Sequence, residues 1–278
     1  MGNYKFSVSI CVYNGDNADH FDAAMNSIFN QTLMPDEVVL VVDGPVNDGI
    51  NAVIEKYESQ FESLKVVRSP ENVGHGNARR LGLENCSHEL VALMDADDIC
   101  EKDRFQKQIK VFEDNPKISI VGGQITEFID NTNNVVGKRT VPVEDMQIKN
   151  YMQKRCPMNQ VTVMFNKQDI EKVGGYIDWY CEEDYYLWIR MALADMKFYN
   201  LPDVLVNVRV GNEMYQRRGG IKYFKSEAQI QKLMLSKGLI SVPRYLINVG
   251  QRFVLQVLMP NRLRGFIFKM FAREKGDE

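Results

Sequence analysis

The feature that most constrains this chain is an apolar run followed at once by three carboxylates. Residues 90–94 are apolar throughout, and Asp95, Asp97 and Asp98 come directly after them. A continuous apolar run of this length is typical of a buried parallel strand, and ligands of open α/β sheets bind beyond the carboxyl ends of such strands. Because hard divalent cations prefer oxygen ligands, the aspartates predict a site for a metal ion and a diphosphate. Asp98 alone is equally compatible with a helix N-cap.

Strand-like and helical patterns alternate through the first 120 residues. The predicted strands are residues 7–13, 37–43, 64–68, 90–94 and 118–121, and the predicted helices are residues 21–30, 49–60, 77–85 and 104–113. This alternation predicts an α/β fold in which a mostly parallel, Rossmann-like sheet carries helices on both faces.

The pattern changes after residue 122, where strands are no longer separated regularly by helices. The predicted elements there are a hairpin of residues 123–129 and 135–141, helices at 145–154 and 182–194, strands at 161–165, 198–201 and 205–210, and helices from residue 223 onward. We therefore expect a ligand-binding domain at residues 1–222 and a C-terminal helical segment at residues 223–278.

Charge and cysteine usage exclude several classes of protein. The net charge of −3 argues against a general nucleic-acid binder. The five cysteines are scattered without a Cys-x-x-Cys pair, which argues against a standard zinc site and a disulfide framework and favours a reducing compartment. Neither a signal-peptide pattern nor an apolar run of membrane-spanning length is present, so we expect a cytoplasmic protein.

Polar residues cluster at the ends of the predicted strands or in the loops after them. They are Asn14, Asp43, Asn72, Gly74, Arg79, Asp95 and Asp97. Since the carboxyl ends of parallel strands meet at one edge of a sheet, these residues are expected to share one cleft. Two of the motifs have simpler interpretations: Asp43-Gly44-Pro45 is good turn chemistry, and Gly74-His75-Gly76 is compatible with a flexible loop at a helix start.

An ordered set of motifs resembles the family-2 glycosyltransferases of the GT-A fold. The motifs are residues 7–14 (SVSICVYN), 27–32 (SIFNQT), 41–44 (VVDG), 72–79 (NVGHGNAR), 95–98 (DADD) and 183–190 (EDYYLWIR). They span about residues 5 to 220 in the family's order and are most similar to the enzymes that build bacterial capsule, exopolysaccharide or O-antigen. The chain departs from the family in three places: Cys11-Val12 stands where Pro is frequent, a single Asp43 precedes Gly44, and no histidine follows residue 184.

The resemblance implies a role for each matching residue. A nucleotide sugar, with uridine diphosphate as the expected leaving group, would be bound by Tyr13, Asn14, Asp43, Asn72, Gly74, Arg79, Asp95 and Ala96. Asp95 and Asp97 would hold Mn²⁺ or Mg²⁺, Asp184 would be the catalytic base, and Glu183 would position the acceptor. The implied activity is inverting transfer of a hexose to a hydroxyl of a glycan or lipid-linked acceptor. In the absence of the histidine, either water completes the metal coordination, or Asn212 contributes to it, or metal binding is weak without the donor.

Two charged segments lie later in the chain. Glu182-Glu183-Asp184 places three carboxylates in succession, which should raise the pKa of at least one of them, although an acidic first helical turn is the simpler interpretation. Arg217-Arg218-Gly219-Gly220 suits a flexible loop that clamps a diphosphate, or equally a basic surface turn.

The C-terminal segment is basic and amphipathic. Residues 244–275 contain seven Lys or Arg residues and one acidic residue. Leu263, Phe266, Ile267, Met270 and Phe271 follow the spacing of one helical face. This pattern favours a helix on an anionic membrane surface, with packing on the protein's own core or a homodimer contact as alternatives.

Three other functions compete with sugar transfer. A haloacid-dehalogenase-like phosphohydrolase also carries Asp-x-Asp after a strand, but normally after the first strand. A dinucleotide oxidoreductase is disfavoured because Arg79 stands where the third glycine of its fingerprint belongs. An inactive nucleotide-sugar-binding module is disfavoured by intact Asp95, Asp97 and Asp184.

Overall fold

The computed structural model describes residues 4–211 and 219–259. Its strands join into one sheet. The strands are β1 (Phe6–Val12), β2 (Glu37–Val42), β3 (Leu64–Arg68), β4 (Leu90–Asp95), β5 (Ile99–Cys100), β6 (Ile118–Phe128), β7 (Val135–Arg139), β8 (Met164–Asn166) and β9 (Lys197–Arg209).

Helices surround this sheet. They are α1 (Ala18–Ile28), α2 (Asp48–Gln60), α3 (His75–Asn85), α4 (Arg104–Asp114), α5 (Asp145–Met152), α6 (Lys167–Lys172), α7 (Glu183–Leu193), α8 (Ile221–Ser236) and α9 (Val242–Phe253), with a 3₁₀ turn at Gln160–Thr162 and a π-helical turn at Val254–Leu258. No helix in residues 4–211 or 219–259 is both long and apolar enough to cross a bilayer.

The strand order places the ends of β1, β2 and β4 side by side. The order is β3-β2-β1-β4-β8-β6-β9-β5, with β7 paired to β6. The four strands from β3 to β4 are parallel, β8 is antiparallel to both of its neighbours, and β9 runs parallel to β6. Val12 pairs with Val42, and Cys11 pairs with Asp95, so Asp43 and Asp95 emerge at the same edge.

Apolar cores lie on both faces of the sheet, as the sequence predicts. In β4, Leu90, Ala92 and Met94 pack toward α1, α2 and α4, whereas Val91 and Leu93 pack toward α3, α5 and α7. The second core also contains side chains of α8. The α/β fold class is therefore confirmed, and the domain boundary at residue 222 stays a prediction.

Two pairs of predicted strands are each one continuous strand in the structure. The predicted break within 118–129 is wrong, because β6 continues through Gly122-Gly123. A Cβ at Gly122 would collide with the side chain of Asn200 on β9, so glycine here permits close strand approach. Likewise β9 is one strand rather than two and passes through Pro202.

Three further differences occur in short elements. Residues 161–165, which were predicted as one strand, lie partly in the 3₁₀ turn and partly in β8. The short elements β5 and α6 were not predicted. The N-cap interpretation of Asp98 is wrong, because β5 follows Asp98 and Asp103 stands before α4.

Candidate active site

A cleft of about 1370 Å³ opens at the carboxyl edge of the parallel strands. Its walls come from the start of α3, the end of β4, the end of β9, the segment before α7, and α8 and α9. Six of the predicted site residues line it: Gly74, Arg79, Asp95, Asp97, Glu183 and Asp184. The structure therefore brings these six residues together at one edge of the sheet, and their roles stay predictions.

Arg79 connects the acidic motif to the start of α7. Its guanidinium lies 3.1 Å from Asp95 Oδ1 and 2.9 Å from Glu183 Oε1. Burial opposes the charge of Arg79, but Asp95 and other neighbouring groups, Glu183 among them, outweigh that effect and raise its pKa. Arg79 thus stays cationic and fixes the two carboxylates relative to each other.

Asp43 organises the loop before α3. Its Oδ1 accepts a hydrogen bond from Val73 N at 2.7 Å, and its backbone carbonyl accepts one from Asn72 Nδ2 at 3.3 Å. Gly44 has φ +84°, and a Cβ there would lie 2.7 Å from Asn72 N. The turn at Asp43 therefore packs directly against the loop that leads to Gly74.

The other predicted donor-binding residues that the structure describes do not line the cleft. Tyr13 is exposed, and its backbone N–H donates to Asp16 Oδ2 at 2.9 Å. Asn14 is exposed, whereas Ala96 is buried behind the acidic motif. Contact between a nucleotide and these residues stays a prediction, as it does for Asp43 and Asn72.

The aspartates after β4 crowd one another. Burial, followed by the charges of Asp95 and Asp16, raises the pKa of Asp97 to about 6. Asp98 is buried and accepts a hydrogen bond from Arg209 N at 2.8 Å. Within the described parts of the chain, no three His, Cys, Asp or Glu side chains form a metal-binding cluster. Asp95 and Asp97 nevertheless fit a hard cation, because both offer carboxylate oxygens and their mutual repulsion would be relieved by it.

Arg209 is a cleft residue to which the sequence assigned no role. Its Nε donates to the carbonyl of Asp97 at 3.1 Å, and its guanidinium lies 4.6 Å from the centre of the Phe128 ring. These contacts hold the backbone of the acidic motif against β9. The sequence shows Arg209 only as a basic residue near the end of a predicted strand, and it belongs to no motif.

Glu183 and Asp184 have opposite electrostatic properties although they are adjacent. Burial alone would raise the pKa of Glu183, but the hydrogen bond to His75 and the charge of Arg79 lower it. Burial and the neighbouring charge of Glu183 raise the pKa of Asp184. Asp184 also accepts a hydrogen bond from Tyr185 N at 2.6 Å and lies 3.9 Å from Cys156 Sγ. Both residues occupy the first turn of α7, so the simpler interpretation of this motif, an acidic first helical turn, is also correct.

The sequence profile described as Glycosyl transferase family 2 matches residues 7–174. The chain belongs to this family. Membership in a glycosyltransferase family argues against the two competing enzyme functions, phosphohydrolase and oxidoreductase.

Three curated relatives match this chain over nearly its whole length. An uncharacterized glycosyltransferase of Haemophilus influenzae is 39% identical over 97% of this chain and 100% of its own length. The amylovoran biosynthesis glycosyltransferase AmsE of Erwinia amylovora is 35% identical over 95% of this chain and 98% of its own. An Escherichia coli protein named UDP-Gal:alpha-D-GlcNAc-diphosphoundecaprenol beta-1,3-galactosyltransferase is 34% identical over 97% of each chain.

Solved structures agree with the GT-A fold. Residues 1–349 of S. aureus TarS in complex with UDP-GlcNAc match with a TM-score of 0.64 and 20% identity, covering 94% of this glycosyltransferase and 75% of that chain. The mannosyltransferase PcManGT of Pyrobaculum calidifontis in complex with GDP-Man and Mn²⁺ matches with a TM-score of 0.63 and 16% identity, covering 97% and 74%. At these identities the likeness establishes the fold.

Several predictions about the glycosyltransferase lie outside the described residues. These are the clamp at Arg217 and Arg218, the metal contact by Asn212, and the amphipathic face of Leu263, Phe266, Ile267, Met270 and Phe271. Within the described part, α9 has exposed apolar side chains at Val242, Leu246 and Ile247.

Proposed function

We propose that this glycosyltransferase transfers a hexose, with inversion, from a UDP-sugar to a hydroxyl of a glycan or lipid-linked acceptor in bacterial surface polysaccharide synthesis. The observation that carries the proposal is the contact of Arg79 with both Asp95 and Glu183. Through it, the acidic motif that would hold the donor and the carboxylates that would serve the acceptor share one cleft.

On the donor side, Asp95 and Asp97 would hold Mn²⁺ or Mg²⁺. When bound, the cation supplies Lewis-acid stabilisation of the leaving diphosphate. Arg209 keeps the backbone of the motif in place through its bond to the carbonyl of Asp97. The loop fastened by Asp43 presents the amino end of α3 to the same space, and backbone N–H groups at a helix start favour phosphate.

On the acceptor side, Asp184 is the proposed general base. Its raised pKa suits a carboxylate that must take a proton from a hydroxyl. The acceptor oxygen bonds to the anomeric carbon as the bond from that carbon to the diphosphate oxygen breaks, and the hydroxyl proton passes to Asp184. Attack opposite the leaving group inverts the configuration. Glu183, held ionised by Arg79 and His75, is proposed to position the acceptor.

The choice of substrates is supported by the relatives' names. The Escherichia coli relative is named for a UDP-galactose donor and an acceptor carried on diphosphoundecaprenol. The Erwinia relative is named for amylovoran biosynthesis. The structural neighbour from Pyrobaculum calidifontis contains GDP-Man, so nucleotides with other bases belong in any test of the donor.

If the acceptor is carried on a membrane lipid, the outer face of α9 is suited to contact that membrane. Leu246 is 63% exposed and Ile247 is 50% exposed. Arg244 lies on the same helix, and basic residues beside exposed apolar ones favour an anionic lipid surface. We propose peripheral association with such a surface, rather than a homodimer contact, as the role of this face.

Calorimetry with Mn²⁺ and a panel of nucleoside diphosphates would test the donor site. We expect cation-dependent binding of UDP that is lost in Asp97→Asn and retained in Asp114→Asn, an exposed carboxylate on α4. A second assay would follow UDP release and the anomeric configuration of the product by NMR. Absence of nucleotide binding to the folded wild-type protein would contradict the proposal, and binding without turnover on any acceptor would favour the inactive binding module.

A further inference from the structure

The segment that follows α5 is fastened by its backbone carbonyls. Asn248 of α9 donates to the carbonyl of Gln153 at 2.8 Å, and Arg252 of α9 donates to that of Lys154 at 2.8 Å. Further along, the carbonyls of Cys156, Pro157 and Met158 accept hydrogen bonds from side chains of β7 and β9. The backbone on either side of Arg155 is therefore fixed by three different elements.

Arg155 is half-buried and lines the cleft, but its guanidinium has no hydrogen-bond or ion-pair partner among the described residues. The other arginines that line the cleft all have one. Arg79 binds two carboxylates, Arg139 binds the carbonyl of Cys156, Arg209 binds that of Asp97, and Arg252 lies 2.8 Å from Glu227. A cation on a rigid segment that faces a cleft without a partner is prepared to bind an anion at low entropic cost.

The position of Arg155 indicates which substrate would provide that anion. The next residue, Cys156, has its sulfur 3.9 Å from Asp184 Oδ2, so Arg155 is one residue away from a contact of the proposed base and lines the same cleft. The donor diphosphate belongs instead with Asp95 and Asp97. Guanidinium groups bind phosphate and carboxylate oxygens in a bidentate manner.

We infer that Arg155 binds an oxyanion of the acceptor, either the diphosphate that links the acceptor sugar to its lipid or the carboxylate of an acidic acceptor sugar. This inference rests on the proposed function, because Asp184 must be the base for the adjacent site to receive the acceptor.

The test is a binding experiment on the full chain with its donor site filled. The wild type, Arg155→Gln, Arg155→Lys and Lys154→Gln are saturated with UDP and excess Mn²⁺. Each is then titrated with decyl α-N-acetylglucosaminyl diphosphate, decyl glucuronide and neutral decyl N-acetylglucosaminide. Lys154→Gln removes an exposed neighbouring charge and is the matched control.

We expect the wild type to prefer one of the two anionic probes over the neutral probe by about tenfold or more, as for hydrogen bonds between charged groups. The identity of the preferred probe distinguishes a diphosphate from a carboxylate. Arg155→Gln should lose this preference, Arg155→Lys should keep part of it, and Lys154→Gln should keep all of it. An equal preference in Arg155→Gln and wild type, or no preference in wild type, would overturn the inference. Retained UDP binding in either case would leave the proposed function standing, whereas absent UDP binding would contradict that function instead.

Discussion

Arg79 and Glu183 are 104 positions apart in the chain, yet their charged groups are 2.9 Å apart in the cleft. Both side chains are buried, and Arg79 also contacts Asp95. This arrangement joins the motif after β4 to the first turn of α7, so a change at Arg79 affects both halves of the site.

Replacement of Arg79 by methionine tests that connection. Removal of Arg79 takes away the nearer cationic partner of the buried Glu183 carboxylate and leaves His75, 3.6 Å away, and we expect a loss of roughly 3 kcal/mol in the free energy of unfolding. The additional change Glu183→Gln should recover part of this loss, because it removes the buried charge. Urea unfolding of the two single variants and the double variant measures the coupling. Strictly additive losses would show that the two groups do not interact.

Asp184→Asn tests the base. We expect the turnover number to fall by about 10²- to 10⁴-fold while UDP binding is retained. The control, Asp195→Asn, changes an exposed carboxylate just beyond the other end of α7 and should keep wild-type turnover. Retained turnover in Asp184→Asn would assign the proton transfer to another group.

The pH dependence of the wild type provides an independent test of Asp184. Burial and Glu183 raise its pKa, so activity should be lost, as the pH falls, at a higher pH than an ordinary aspartate would give. The same shift makes ionisation of Asp184 unfavourable in the folded state, so its cost to stability grows as the pH rises from the unfolded to the folded pKa. Asp184→Asn should therefore be at least as stable as wild type at pH 8 in urea unfolding. Lower stability at that pH would contradict the raised pKa.

Asp43→Ala tests the loop before α3. The N–H of Val73 would lose its acceptor, and we expect a loss of about 1–3 kcal/mol in the free energy of unfolding together with weaker UDP binding. Asp43→Asn keeps an acceptor oxygen in the same place and should lose much less stability. If the two variants were equally destabilised, the hydrogen bond to Val73 would not be the cause.

Vesicle sedimentation tests the outer face of α9. The wild type should pellet with vesicles containing anionic lipid, and the double variant Leu246→Glu/Ile247→Glu should pellet less. Met146→Glu places one glutamate on an exposed apolar residue of α5 and should behave as wild type. Equal pelleting of all three proteins would remove α9 as the membrane contact. Truncation before Tyr245 is a poorer test, because it also removes the contacts of Asn248 and Arg252 with the cleft wall.

The sequence predicted those parts of the molecule in which local pattern and long-range packing agree. The strands β1 to β4 alternate with helices, and the carboxylates after the apolar run of β4 line the cleft at the edge where the sequence placed them. Prediction failed where a distant contact decides the conformation. The predicted strands 118–121 and 123–129 left Gly122 between them, whereas in the fold Gly122 lies within β6 and allows close approach of Asn200 on another strand. Arg209 and Arg155 carry no motif, and only the folded chain brings them to the cleft.

Helix α9 faces two environments at once. Leu246 and Ile247 are exposed on its outer side. On its inner side, Asn248 and Arg252 donate hydrogen bonds to the backbone of the segment that follows α5. No hinge or linker separates these two sides, because they belong to the same three turns of helix. A tilt of the helix on a lipid surface would therefore also move the segment that Asn248 and Arg252 hold at the rim of the cleft. Binding of α9 to lipid would then change the geometry of the proposed acceptor site.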